Sequence, residues 1–190
     1  MQNAPEGVRL AVLHQADFVE LDVLKKAGGG FLCAHGWARG AELGACLMEV
    51  GGKMGLVAHL KGTYEEADLL RLVEEILRHL PLERVVFAAH HSRVLWKLRQ
   101  LIPKGRLARF GLWPSLMGLW KQQPWDCCMI NQLLLPRWLV VALQRRGFEV
   151  VASCVWELRS TRSVRKLGVD GAFVNLYHPR QAEQGSGDTL

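Results

Sequence analysis

Short apolar, β-branched runs alternate with stripes of helical period from Phe18 to Asn175, and nothing else in the sequence narrows the fold as far. Strand patterns fall at 18–23, 31–34, 55–61, 84–89, 107–113, 125–131, 148–155 and 171–175. The turn Gly28-Gly29-Gly30 joins the first two as a hairpin. Thr63 and Glu66 read as a capping box that opens a helix with its stripe at Ala67, Leu70, Val73, Ile76, Leu77 and Leu80. Ser92 reads as the cap of a second helix, which Pro103 stops, and a third runs from Pro136 to Gly147. A short helix over 160–167 follows. Successive strands separated by helices run parallel, so the chain folds as a doubly wound sheet or as a (β/α) barrel.

No glycine-rich phosphate loop follows any strand, which removes the common nucleotide-binding readings. At 190 residues, 49% of them hydrophobic, the chain is sized for one globular domain, set at 1–179, with a disordered tail over 180–190. The uncharged, largely apolar stretch 110–120 is far short of the roughly 20 residues of a membrane helix. No transmembrane segment and no secretory signal is therefore expected. Five cysteines, two of them adjacent at Cys127 and Cys128, point to reduced, buried thiols and a cytoplasmic protein. The net charge of +6 is spread over many segments, so no nucleic-acid partner is expected.

Glu20 and Asp22 lie two apart on an apolar strand, so both carboxylates project to one face. Buried together they would repel, and a cation is the simplest remedy; on a solvated face they would need none. His35 returns near the same strand end if the hairpin closes, a place suited to an acid/base group or to a structural histidine. His59 and Lys61 share a face at the end of their strand, as a metal ligand beside a phosphate-binding lysine or as a surface strand end. Asn3 and Glu6 read as a capping box, and His90 and His91 as loop residues. Trp113, Trp120 and Trp125, with Met117, read first as packing and second as an apolar lip for lipid, helped by Lys121.

Pro5-Glu6, the run Phe18-Val19-Glu20-Leu21-Asp22-Val23, the segment from Phe31 to His35, and Leu167-Gly168-Val169-Asp170-Gly171 near the end resemble, in that order, the motifs of the glycerophosphodiester phosphodiesterase family. The resemblance implies a TIM-type (β/α) barrel and hydrolysis of glycerophosphodiesters to an alcohol and glycerol 3-phosphate. It implies a divalent metal ion (Mg, Ca or Mn) at Glu20 and Asp22, His35 as a catalytic histidine, and Lys61 as the lysine after the third ligand. That third ligand, a glutamate in the family, is His59 here, which favours Mn or Zn. The family's first-strand His-Arg-Gly, source of a second histidine and a phosphate-binding arginine, is found nowhere in these 190 residues. The length is also below the roughly 200 to 250 residues of a typical barrel. The expectation is an N-terminally shortened, incomplete barrel with impaired activity on phosphodiesters or lysophospholipid-like substrates, able to self-associate through an open sheet edge. The alternative is a catalytically silent barrel that binds a phosphorylated ligand or a partner.

Overall fold

The computed structural model describes residues 3–36, 40–117, 119–155 and 163–174. The chain packs as two compact units, Met1–Arg109 and Phe110–Leu190.

The first unit opens with helix α1 (Pro5–Leu13) and the strands β1 (Phe18–Lys25), β2 (Phe31–Cys33) and β3 (Ala41–Glu42). It continues through α2 (Leu43–Val50), β4 (Gly55–Leu60), α3 (Glu66–Leu77), β5 (Val85–Ala89), α4 (Ser92–Leu101) and β6 (Arg106–Phe110). The strands lie in the order β3-β2-β1-β4-β5-β6. β1, β4, β5 and β6 are parallel neighbours, as the crossovers require, and β2 returns antiparallel on β1 with Val23 opposite Cys33. Every residue of β4 and β5 is buried, the continuous apolar pattern of strands covered on both faces. Gly55 begins β4 because the Phe18 ring lies where a Cβ would stand.

Several local readings shift. The N-cap of α3 is Glu65, two residues after Thr63, with Asp68 accepting the Glu65 N–H at 3.2 Å. Its buried face is Leu69, Leu72, Val73 and Ile76, while Leu70 and Leu77 are exposed. Val73 and Ile76 of the expected stripe belong to that face, and Leu80, beyond the helix, is buried as expected. Ser92 is the first residue of α4, and His91 is its N-cap. α2, which no cap or strong polar contrast announces, buries Leu43, Cys46, Leu47 and Val50.

The second unit holds α5 (Leu112–Met117), β7 (Cys127–Asn131), a 3₁₀ turn (Gln132–Leu134), α6 (Arg137–Arg145), β8 (Glu149–Val155) and β9 (Gly171–Val174). β7, β8 and β9 are parallel neighbours. Residues 112–113, expected to extend a strand, turn into α5, and Trp125 is core whereas Trp113 and Trp120 are exposed. All five cysteines are free; four are buried and Cys154 is exposed. Asn175 and the expected tail lie outside the described residues, as do residues 160–162 of the expected short helix. Among the described residues, no helix is long and apolar enough to cross a membrane.

Candidate metal and phosphate site

The parallel register of β1 and β4 sets Asp22 beside His59, and strand alternation puts Glu20 on the same face. His59 Nδ1 lies 3.0 Å from Glu20 Oε1 and 3.1 Å from Asp22 Oδ1. The Lys61 N–H donates to the Val23 carbonyl at 2.9 Å, extending the ladder one step past β4, and its Nζ reaches Asp22 Oδ1 at 3.0 Å. The hairpin supplies the remaining group. Ala34 N–H donates to the Asp22 carbonyl at 3.0 Å, which fastens the chain just before His35, and His35 Nδ1 donates to Asp22 Oδ2 at 2.8 Å.

Asp22 is therefore the hub. It is 6% exposed, and burial by itself pushes its carboxyl up toward the neutral form. Hydrogen bonds from His59, His35 and Lys61 outweigh burial and hold it well below the usual carboxylate range. Asn3, read from the sequence as half of a capping box, instead pairs with Asp22 through both ends of its amide. Its Nδ2 donates to Oδ2 at 3.1 Å, and its Oδ1 accepts the Asp22 backbone N–H at 2.7 Å. The N-cap of α1 is Ala4, with no side-chain cap bond.

Glu20, Asp22 and His59 each offer one ligand atom, all within 4.8 Å of one another. His59 Nδ1 lies within hydrogen-bond distance of both carboxylates, so the three ligand atoms already converge on one point that a divalent ion can occupy. Two oxygens and one imidazole nitrogen fit a first-row divalent cation. His59 is 2% exposed, whereas Glu20 is half-buried and leaves the cluster open on one side. Lys61 and His35 stand beside this cluster, each bonded to Asp22, the first half-buried and the second exposed.

Two residues at this end of the first unit escaped sequence reasoning. The His90 ring, one position past β5, packs at 4.9 Å from the His59 ring. Burial, then the nearby charges of His59, Lys61 and Arg109, push its pKa down to about 4, so it is neutral near pH 7 although the residue as a whole is exposed. Arg109 on β6 donates from Nη1 to the Ala89 carbonyl at 3.3 Å, and burial lowers its pKa. A visible signal was present: Arg106 and Arg109 interrupt an otherwise apolar strand. Arg106 lies over the Phe18 ring at 5.8 Å, an ordinary cation–π contact.

This backbone is similar over nearly its whole length to solved enzymes of one class. A glycerophosphodiester phosphodiesterase from Parabacteroides distasonis superposes with a TM-score of 0.79 at 15% identity, over 98% of this chain and 91% of that one. A phosphodiesterase from Oleispira antarctica, solved with its product sn-glycerol-3-phosphate, gives 0.78 at 17% identity over 97% and 93%. A glycerophosphodiester phosphodiesterase from Agrobacterium tumefaciens gives 0.72 at 18% over 90% and 89%. No family profile and no curated protein sequence matches the chain. The class defined here is thus the TIM-type α/β fold. Within that class, the fold is the one that the glycerophosphodiester phosphodiesterases adopt.

Proposed function

We propose that this chain is a metal-dependent glycerophosphodiester phosphodiesterase that releases an alcohol and glycerol 3-phosphate slowly. The observation that carries the reading is the convergence of His35, His59 and Lys61 on the one buried carboxylate of Asp22, with Glu20 alongside. The fold it shares with phosphodiesterases, one of them holding sn-glycerol-3-phosphate, supports it. Glu20, Asp22 and His59 hold the divalent cation, Mn²⁺ or Zn²⁺ ahead of Mg²⁺ or Ca²⁺ because one donor is nitrogen. When bound, that cation acts as a Lewis acid on the phosphoryl oxygen.

The chain's own groups divide the remaining work. Lys61 binds the phosphate and offsets the charge that gathers there as the bond to phosphorus forms. Asp22 accepts the Nδ1–H of His35 and stabilises the imidazolium, whose Nε2–H passes its proton to the departing alkoxide. Water supplies the oxygen that joins phosphorus as the bond to the alcohol breaks, and the proton this water loses passes to bulk solvent, from which His35 is protonated again. No His-Arg-Gly occurs in these 190 residues to supply a base and a phosphate-binding arginine, which makes the reaction slow.

Residues 1–179 act as one catalytic domain in this reading. Buried free thiols fit a reducing compartment, the cytoplasm. Lysophospholipids are included among the substrates. Self-association is included too, because among the described residues β2 meets β1 only at Val23, Leu24 and Lys25 and leaves the earlier half of β1 beyond its reach. The test is product release from glycerophosphocholine and from a lysophospholipid, with added Mn²⁺ and with a chelator. Slow release that the chelator stops supports the proposal. Metal binding and phosphate-ester binding without any release would favour the silent barrel, a reading that the Glu-to-His change at the third ligand also suits.

A further inference from the structure

Four large apolar side chains of the second unit face solvent at one end of its strands: Trp113 is 78% exposed, Leu133 83%, Leu134 52% and Trp138 62%. Local bonding brings their segments together. Gly111 N–H donates to the Met129 carbonyl at 2.9 Å, so the start of α5 and the 3₁₀ turn after β7 leave the sheet at the same end. Gln132 Nε2 donates to the Cys154 carbonyl at 2.8 Å and holds that turn against the end of β8. The core below is already filled by Leu135, Leu139, Val140 and Leu143, so the exposed four are surplus to packing.

The charges nearest them in sequence are mostly basic. From Leu112 to Arg146 the chain has four basic residues, Lys121, Arg137, Arg145 and Arg146, against one acidic residue, Asp126. Asp126 precedes β7 at the opposite end and lines a cavity of about 300 Å³ with Lys121 and Arg146. Arg137, exposed beside Trp138, is the charge at the apolar end among the described residues of this stretch. Indoles place an apolar body and a polar N–H at a headgroup boundary, leucines on a one-turn loop enter the acyl layer, and an arginine meets lipid phosphate.

We propose that this end of the second unit is a docking surface for an anionic phospholipid bilayer, with Trp113, Leu133, Leu134 and Trp138 inserted at the interface and Arg137 on the headgroups. The proposal goes beyond the phosphodiesterase reading and does not rest on it, since lipid binding needs no turnover. It also redraws the lip read from the sequence: Trp125 is core, and Lys121 stands at the other end of β7.

The test is co-sedimentation of the full chain with vesicles of phosphatidylcholine alone and of phosphatidylcholine with phosphatidylglycerol. Binding is expected on the mixed vesicles and is weaker on the neutral ones. Arg137→Gln should weaken binding to the mixed vesicles by about fivefold, the effect of one interfacial cation. The double variant Leu133→Ser with Trp138→Ser should weaken it at least about tenfold, from the apolar area lost. Leu13→Ser, another exposed leucine but on α1, should leave it unchanged, and far-ultraviolet dichroism checks that all variants remain folded. Equal binding to both vesicle types, or binding that survives the double variant, would overturn the proposal. So would a chain that ignores vesicles but forms a dimer that Leu133→Ser dissociates, because the patch would then be covered by a second copy.

Discussion

A carboxylate as deeply buried as Asp22 stays ionised only when donors replace the water it has lost. Here the donors are His59, His35, Lys61 and Asn3, and three of them also bear on the proposed chemistry. Asp22→Ala should therefore abolish Mn²⁺ binding by the chain, read by calorimetry; unchanged binding would remove Asp22 from the ligand set. Asn3→Ala leaves the Asp22 backbone N–H without its side-chain acceptor and should cost about 1–3 kcal/mol, read as a lower denaturant midpoint. It should also weaken Mn²⁺ binding, because Asp22 loses one of its anchors; a stability loss with no change in metal affinity would make Asn3 purely structural. At this scale the sequence was partly legible. Alternation alone put Glu20 with Asp22 and His59 with Lys61, and the register of β1 on β4 then joined the two pairs. Asn3 was misread because a local capping pattern looks the same whether its side chain serves the helix or a strand nineteen residues away. His90 was passed over because nothing in a sequence tells which loop histidine packs against a strand histidine.

Between elements, Asp68 ties the end of β1 to α3. Lys25 Nζ and Arg71 Nη2 each lie 2.6 Å from its carboxylate. The Lys25 bond chiefly lowers its pKa to about 2, against the opposing effect of burial, with Arg71 and the Glu65 N–H adding to the drop. Because the folded value is depressed below the unfolded value of about 3.9, this carboxylate stabilises the fold fully above that unfolded value. The contribution is lost as pH falls from about 4 toward about 2. Asp68→Asn should accordingly be less stable than the native chain at pH 6, with the gap closing through the acid limb. Denaturant titrations from pH 6 to pH 2 measure it, and a gap independent of pH would show that another group holds that limb. Strands and the helices with strong polar contrast could be read from periodicity, as β4 and α3 were. The weakly amphipathic α2 could not, and the α3 stripe, right at Val73, Ile76 and Leu80, took Leu70 and Leu77 in place of Leu69 and Leu72 because the adjacent leucines give two competing faces that only packing decides.

For the molecule as a whole, strand–helix alternation left two architectures open, and the ordered motifs from Pro5 to Gly171 pointed to the barrel. The shared backbone with known phosphodiesterases agrees, at identities of 12–18% among the closely superposing structures. Such identities preserve the packing pattern that makes a fold while leaving individual site residues free to change. Activity is therefore the property that the fold leaves open, and release of sn-glycerol 3-phosphate from glycerophosphocholine with Mn²⁺ tests it most directly. The native chain should turn over slowly, Asp22→Ala should not turn over at all, and His35→Ala should fall by about 10² or more, the contribution of a positioned general acid. Release that is equally fast in the native chain and both variants, or absent from all three, would contradict the account.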